Sequence, residues 1–192
     1  MPVSLQKDVE RFTYAHYVTW PAEERWELID GIPYDMSPAP SRYHQEISMN
    51  LGFEISKFLK GKKCKVYAAP FDVRLPEGAQ TDEETMTVVQ PDISVVCDPE
   101  KLDDKGCKGA PDFIAEITSL STIKKDMKDK LLLYEKNGVP EYWIIQPEEN
   151  IIMVHKLNEQ KQYDRAKIFS KEDKIELNLK DGTIEIDLGK IF

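Results

Sequence analysis

The order in which helical and β-type patterns of apolar residues follow one another constrains the fold of this chain more than any other feature. Between positions 42 and 60, Ile47, Leu51 and Ile55 recur every four residues, which predicts a helix with one buried face. The other core elements follow this helix. They are strands at 64–75, 87–97 and 112–118, a helix at about 121–137 and a strand at 141–146. This order predicts an α/β or α+β domain with a mixed central sheet flanked by helices.

Shorter β signals on both sides of this core extend the predicted sheet. Asp30-Gly31 lies between two apolar stretches in 26–36, a pattern typical of a hairpin turn. On the C-terminal side, further β-rich stretches lie at 151–157, around 162–169 and at 174–187. No internal repeat, low-complexity tract or Pro/Gly/Ser linker interrupts these segments, so we expect a single domain over 1–192.

The composition is that of an ordinary globular protein, with 41% hydrophobic and 32% charged residues. No apolar run approaches the roughly 18 residues that span a bilayer. The N-terminal segment carries charges where a signal peptide needs its apolar stretch. We therefore expect a cytoplasmic protein without a membrane partner. Cys64, Cys97 and Cys107 show no CxxC spacing, and their odd number predicts reduced thiols.

The chain is acidic, with a net charge of −9 from 26 basic and 35 acidic residues. Non-specific affinity for DNA comes from the neutralisation of phosphates by basic side chains. The chain is therefore not expected to coat DNA through bulk charge. A local basic surface is compatible with this total, because lysines crowd two short segments, at 57–65 and 124–130. The alternative is that each segment is an ordinary solvated face.

Two predicted strands contain an acidic residue where burial is expected. Asp92 follows Pro91 at the start of one strand, and Glu116 interrupts the apolar stretch of the next. A lone buried carboxylate costs several kcal/mol, or its pKa rises until it is neutral. Two carboxylates on adjacent strands are tolerated if they share a cation, and oxygen-rich sites suit Mg²⁺ or Mn²⁺. The alternative is that each acid caps a strand end or pairs with a lysine or arginine.

The helix predicted after Glu116 carries one lysine on its buried face. At about 100° per residue, Lys130 falls within the face formed by Met127 and Tyr134. The other lysines of this helix fall toward solvent, namely Lys124, Lys125 and Lys128. Asp126 lies one turn before Lys130, where an i,i+4 pair can form. A buried lysine needs a carboxylate neighbour, which Glu116 would provide, unless only the aliphatic stem of the lysine is buried.

Several motifs of the chain, taken in order, resemble those of the Uma2 family in the PD-(D/E)XK nuclease superfamily. They are QPD at 90–92, AEITS at 115–119, STIKKDMKDK at 121–130 and YEKNGVPEYWII at 134–145. The stretches WELIDGIPYDMSPAPSRYHQEI and PFDVRL also look like that family, so the likeness covers most of the chain. The resemblance implies a restriction-endonuclease-like core of α-β-β-β-α-β order, with the N-terminal hairpin and the C-terminal strands as extensions.

For the site, the resemblance implies that Asp92, Glu116 and the backbone carbonyl of Ile117 bind Mg²⁺ or Mn²⁺. The usual lysine of the superfamily stands two residues after the glutamate, and this chain has Thr118 there. Lys130 would then supply the catalytic ammonium from the helix, as the DxxxK pattern of the family suggests. The implied activity is that of a Mg²⁺-dependent endonuclease with DNA as its substrate. Many nucleases of the superfamily pair to cut two strands, which makes a homodimer the implied assembly.

Further residues are candidates for accessory roles. Many superfamily nucleases use an acid from the first helix, which here would be Glu46, with His44 nearby. His44 itself fits a structural or supporting role better than that of a ligand. Asp72 alternates with apolar neighbours and either enters the same pocket or bonds a loop. Asp126 and Thr118 complete this set of candidates.

A competing hypothesis gives the same fold no catalytic activity. The chain would then be an inactive nuclease-fold protein that binds nucleic acid or another protein, and its acids would form structural ion pairs. The absence of the strand lysine and the net charge of −9 favour this hypothesis.

Overall fold

The computed structural model of the chain describes residues 10–21, 23–36, 39–120 and 122–192. The strands in these ranges are β1 (Trp26–Ile29), β2 (Ile32–Asp35), β3 (Lys65–Ala68), β4 (Val73–Arg74), β5 (Val88–Val89), β6 (Ile93–Val96), β7 (Leu102–Asp103), β8 (Gly106–Lys108), β9 (Phe113–Ile117), β10 (Glu141–Gln146), β11 (Ile151–Lys156), β12 (Lys167–Ser170), β13 (Lys174–Leu179) and β14 (Gly182–Asp187). The helices are α1 (Tyr14–Tyr17), α2 (Arg42–Leu59) and α3 (Leu131–Lys136), with a π-helical segment, Lys125–Lys130, leading into α3. Within the described ranges, no helix is both long enough and apolar enough to cross a bilayer.

Six strands form the central sheet, in the order β12-β11-β10-β9-β6-β3. β9 and β10 run parallel and are joined through a helix, as a parallel pair requires, while all other neighbours are antiparallel. A second sheet has the order β2-β1-β5-β4-β8-β7, and β13 and β14 form a separate hairpin. The predicted α+β class with a mixed central sheet is therefore confirmed.

The central sheet is covered on both faces. On one face, α2 packs in an apolar cluster with β9, β10 and the β13–β14 hairpin. On the other face, Tyr134 of α3 shares a second cluster with Val73 of β4 in the second sheet. Side chains alternate along a strand, and Ala115 and Ile117 of β9 belong to the first cluster. Glu116 between them therefore faces α3 and the second sheet.

Several predicted elements are confirmed. The hairpin at 26–36 is β1–β2, and its turn residues Asp30 and Gly31 have φ values of 50° and 77°. Two positive values are what a type I′ hairpin turn needs. The helix predicted at 42–60 is α2. The later β segments appear as β9, β10, β11, the shorter β12 and the β13–β14 hairpin.

Two predictions of one long strand are wrong, and proline explains both. The segment 64–75 contains β3 and β4, which lie in different sheets on either side of Pro70, a residue preceded by a cis peptide bond. The segment 87–97 contains β5 and β6, again in different sheets, on either side of Pro91. Proline has no N–H to donate to a sheet, so the chain changes sheets at both positions. The loop predicted at 98–111 also differs, because it contains the β7–β8 hairpin.

The expectation of three reduced thiols is wrong. Cys64 and Cys97 form a disulfide with an S–S distance of 2.05 Å, while Cys107 is a buried free thiol. Their neighbours, Lys65 of β3 and Val96 of β6, are paired in register, so the two cysteines lie opposite each other. This proximity depends on strand pairing between positions 33 residues apart, which a count of cysteines cannot reveal.

Candidate active site

Asp92 and Glu116 come from neighbouring positions of the central sheet and face the same side. β6 and β9 are antiparallel with Ile93 opposite Ala115, and continuing this register by one residue places Asp92 opposite Glu116. Side chains directly opposite each other have Cβ atoms about 4.5–5.5 Å apart. The Oδ2 atom of Asp92 also accepts a hydrogen bond from the Ile117 N–H at 2.7 Å. The structure thus brings the two predicted carboxylates together.

Glu116 is almost fully buried, with 4% of its surface exposed. Its Oε1 accepts hydrogen bonds from Lys130 Nζ at 2.8 Å and from the Tyr134 hydroxyl at 2.7 Å. Burial raises the pKa of Glu116 to about 8; the charge of Lys130 opposes this shift, and nearby negative charges, first that of Asp126, add to it. The folded protein therefore favours the protonated form of Glu116 at neutral pH, and a rise of about one pH unit is enough to ionise half of it.

Lys130 points inward, as helical spacing predicts, with 2% of its surface exposed. Its Nζ lies 2.8 Å from Glu116 Oε1, 2.8 Å from Glu27 Oε1 and 4.0 Å from Asp126 Oδ1. Burial alone would lower the pKa of Lys130, but the charges of these acids outweigh it and raise the pKa well above its usual value. Lys130 therefore remains an ammonium group inside the protein.

Glu27 of β1, which is not among the residues predicted from the sequence, completes this cluster. Glu27 is fully buried; its Oε1 also accepts a hydrogen bond from the Gln90 N–H at 3.0 Å, and its Oε2 pairs with Lys125. Burial opposes ionisation, but the charges and hydrogen bonds of Lys130 and Lys125 lower the pKa of Glu27 to about 2. The sequence did carry a signal, because Glu27 interrupts an apolar stretch as Glu116 does.

The π-helical segment Lys125–Lys130 explains two departures from the predicted helix. At about 100° per residue, Lys125 and Lys130 would lie about 140° apart, whereas an i→i+5 turn brings residues five apart close to alignment. Both lysines therefore reach Glu27, although α-helical spacing predicts that Lys125 faces solvent. The wider turn also leaves Met127, which is predicted to be buried, 39% exposed. Single π turns of this kind are frequent at functional sites.

Two of the predicted accessory residues contact the cluster. His44 Nε2 lies 3.2 Å from Asp92 Oδ2. Because His44 is in the first turn of α2, this contact joins the start of that helix to the carboxylate. The Nδ1 atom of His44 is buried and has no hydrogen-bond partner among the described residues. Asp126 is also buried, 4.0 Å from Lys130 Nζ, and burial raises its pKa.

The other three accessory candidates have different partners. Glu46 forms an exposed i,i+4 ion pair on α2. Asp72 accepts a hydrogen bond from the Gln90 side chain at 2.9 Å, in a polar network beside the cluster. Thr118, at the position of the superfamily lysine, donates its hydroxyl to a backbone carbonyl of β10 at 3.1 Å. None of these three contacts joins its residue to Asp92 or Glu116.

The charges and free oxygens of the cluster fit a divalent cation. With all four acids ionised, Glu27, Asp92, Glu116 and Asp126 face two ammonium groups, Lys125 and Lys130, which leaves two formal negative charges. Protonation of Glu116, whose pKa is raised to about 8, reduces this to one. In the described part of the chain, the hydrogen bonds to the two strand carboxylates reach Asp92 Oδ2 and Glu116 Oε1, so each has one oxygen without a protein donor. No group of three or more His, Cys, Asp or Glu in that part could hold a metal. A cation here would therefore rely on two carboxylates, a backbone carbonyl and water.

Comparison of this chain with known proteins identifies its family. Residues 14–188 match the model of the Uma2 family, which is described as "Putative restriction endonuclease". The chain belongs to the Uma2 family. The fold is similar to the crystal structure of "a putative nuclease belonging to DUF820" from Anabaena variabilis, with a TM-score of 0.72 and 18% identity. That match covers 94% of this chain and 97% of the other.

A further relative of this Uma2 protein is the uncharacterized protein slr1290 of Synechocystis sp. It is 26% identical over 131 residues, which make up 67% of this chain and 65% of that protein. The resemblance to the Uma2 family that the motifs predicted is confirmed. The Anabaena structure, at 18% identity, supports the fold.

Proposed function

We propose that this Uma2 protein is an endonuclease that depends on Mg²⁺ or Mn²⁺ and hydrolyses phosphodiester bonds in DNA. The observation that supports this most is the meeting of Asp92 and Glu116 with the buried ammonium of Lys130, 2.8 Å from Glu116. A structural ion pair needs one acid for each lysine, whereas this cluster holds a surplus of acids. In the metal-free protein the raised pKa of Glu116 offsets part of this surplus, and a bound cation would offset it with the acid ionised. Membership of a restriction-endonuclease-like family agrees with this proposal.

Each residue of the site would have a distinct role. Asp92, Glu116 and the Ile117 carbonyl would hold the cation, which when bound supplies a water of lowered pKa and polarises the scissile phosphate. Lys130 would offset the negative charge that develops on the phosphate, because an ammonium in a buried site acts more strongly than one in water. His44 would keep Asp92 in position through its 3.2 Å contact.

Cleavage of supercoiled plasmid DNA by the full chain, with Mg²⁺ or Mn²⁺, tests this proposal. We expect metal-dependent cleavage that falls by about 100-fold or more in Asp92→Asn, Glu116→Gln and Lys130→Met. Glu141→Gln is a matched control, because Glu141 is a buried glutamate paired with Lys156 at 3.0 Å outside the cluster. Cleavage that persists in Asp92→Asn and Glu116→Gln, or no cleavage of DNA with either metal, would contradict the proposal.

An inactive nuclease fold that binds nucleic acid or protein is the second candidate. The net charge of −9 favours it, as does the fact that Glu27 and Glu116 already satisfy Lys130. A metal that binds only the folded protein stabilises it by RT ln(1 + [L]/Kd). A thermal midpoint that rises with Mn²⁺ in the wild type but not in Asp92→Asn would count against this second candidate, and an unchanged midpoint would favour it.

We further propose that cleavage of both strands requires a homodimer, since one site acts on one strand at a time. Linear product should then appear together with a dimer in light-scattering measurements. Nicked circles as the sole product of a monomeric protein would contradict the dimer and leave the single-strand chemistry intact.

A further inference from the structure

We infer that Glu27 is a positioning residue, which holds Lys130 as an ammonium beside the metal site when a cation occupies Glu116. This inference rests on the proposed function and deepens it. It concerns a residue of the β1–β2 hairpin, outside the strands and the helix that supply Asp92, Glu116 and Lys130.

Lys130 has two carboxylate partners at the same distance. Its Nζ lies 2.8 Å from Glu27 Oε1 and 2.8 Å from Glu116 Oε1. Of these two partners, Glu116 is the one that lies across from Asp92 in the strand register, so Glu116 is the one that shares the proposed metal site with Asp92. Glu27 is the close partner that metal binding leaves available.

Contacts that do not involve Glu116 hold Glu27 in place. Its Oε1 accepts the Gln90 N–H at 3.0 Å, and its Oε2 pairs with Lys125. The Gln90 N–H is a backbone group next to β5, so the carboxylate of Glu27 is held by the main chain of the second sheet and not by that of the central sheet, which carries Glu116. Glu27 therefore stays in place when the partners of Glu116 change.

The charge of a bound cation makes this second partner of Lys130 necessary. A divalent cation at Asp92 and Glu116 repels a nearby ammonium, and this repulsion is strong where water is excluded. Without Glu27, Lys130 would be a buried charge with no free carboxylate within hydrogen-bond distance, which is unfavourable. Asp126, at 4.0 Å, is beyond hydrogen-bond distance. Glu27 thus makes a bound cation and a charged Lys130 compatible in one site.

The same arrangement accounts for a lysine that comes from a helix rather than from a strand. A lysine at position 118 would follow β9 directly, but that position is Thr118, whose hydroxyl is bonded to a carbonyl of β10. Lys130 must instead reach the site from the π-helical segment on a long, flexible side chain. Glu27, itself held by the Gln90 N–H, gives the ammonium of Lys130 a fixed partner.

A double-mutant cycle on Mn²⁺ affinity, measured by titration calorimetry with the full chain, tests the inference. In Glu27→Gln, Lys130 keeps Glu116 as its close partner and competes with the ion, so we expect Mn²⁺ affinity to fall by about 10-fold. In a Lys130→Met background there is no lysine to compete, and the same substitution should leave Mn²⁺ affinity unchanged. Glu141→Gln, the buried control outside the cluster, should match the wild type.

A second variant distinguishes the effect of the contact between Glu27 and Lys130 from the effect of the negative charge of Glu27. Glu27→Asp keeps the negative charge but shortens the side chain, so it loses the 2.8 Å contact with Lys130. We expect weaker Mn²⁺ binding in Glu27→Asp when Lys130 is present and no change when it is methionine. If Glu27→Gln alone does not fold, Glu27→Asp and the comparison of Glu27→Gln/Lys130→Met with Lys130→Met carry the test.

The outcomes distinguish this inference from the proposed function. Equal losses of affinity with and without Lys130 would mean that Glu27 acts only as a distant charge, and would overturn the inference. Wild-type affinity in both Glu27 variants would overturn it as well. No Mn²⁺ binding by the wild-type protein would overturn the proposed function itself, and this inference with it.

Discussion

Two buried ion-pair clusters of this protein differ in which partner water can reach. Around Arg74, the cation is fully buried, while its acids Asp82 and Asp103 are 19% and 49% exposed, each 2.6 Å from the guanidinium. Around Lys130, the cation and its acids are all buried, and the side chains of Glu116 and Glu27 are 5% and 0% exposed. Water can solvate the acids of the Arg74 cluster, whereas the acids of the Lys130 cluster depend on the protein alone.

The direction of the pKa shifts shows what this difference means. The hydrogen bond from Arg74 lowers the pKa of Asp103, so the native structure favours the ionised acid. Burial raises the pKa of Glu116 to about 8, so the native structure disfavours the ionised acid there. A buried acid whose pKa is strongly raised is typical of a functional site. An acid whose pKa is lowered by its cation is typical of an ion pair that stabilises the fold. The contrast therefore predicts opposite responses to the same type of substitution.

The largest effect is expected when both acids of the Arg74 cluster are replaced. In Asp82→Asn/Asp103→Asn, Arg74 stays buried without a carboxylate, and a buried charge that loses its partners costs about 3–5 kcal/mol. The Nε of Arg74 already has no hydrogen-bond partner within the described ranges, so it does not offset the loss. Urea unfolding at pH 7 measures the free energy of unfolding of the double variant and of each single variant. A double variant as stable as the wild type would remove the contrast between the two clusters.

A smaller effect of opposite sign is expected for Glu116→Gln. In the metal-free protein at pH 9, this substitution should raise the free energy of unfolding by about 1–2 kcal/mol, because it removes a charge that the folded state disfavours. The pKa of Glu116 is raised from 4.5 to about 8 in the folded protein. The stability contributed by its bound proton is therefore complete below pH 4.5 and is lost as the pH rises through about 8.

The pH dependence provides the control for this prediction. At pH 5, wild type and Glu116→Gln should unfold at nearly the same urea concentration, and their difference should grow toward pH 9. Glu27, with its pKa lowered to about 2, and Lys130, with its pKa raised, do not titrate in this range. A difference that is constant with pH, or larger in acid, would mean that ionisation of Glu116 does not destabilise the fold.

The elements set by local pattern could be predicted from the sequence. α2 follows from a four-residue apolar spacing, and the β1–β2 turn follows from Asp30-Gly31. The change of sheet at Pro70 and at Pro91 could not be predicted, because a proline ends a ladder without indicating where the chain continues. The Cys64–Cys97 disulfide depends in the same way on the pairing of β3 with β6.

In the candidate site, too, local sequence pattern predicts some residues, while contacts between distant parts of the chain could not be predicted. Asp92 and Glu116 could be predicted because each places a charge in an apolar strand, and Lys130 because it falls on an apolar helix face. Glu27 shows the same local signal, but its partner Lys125 is 98 residues away in sequence. The contact of Lys125 with Glu27 could not be predicted either, because α-helical spacing turns Lys125 toward solvent and the π-helical turn brings it inward.

The smallest effect is expected at an exposed pair with the same geometry. Lys174 and Glu185 lie 2.7 Å apart, close to the 2.8 Å between Lys130 and Glu116, but their side chains are 58% and 59% exposed. Glu185→Gln should give no measurable change in the urea midpoint at about 0.15 M salt, because water and ions screen the pair. Distance is thus nearly constant between the two pairs, and burial is what varies. A shift for Glu185→Gln as large as that for Glu116→Gln would show that burial does not separate the two kinds of pair.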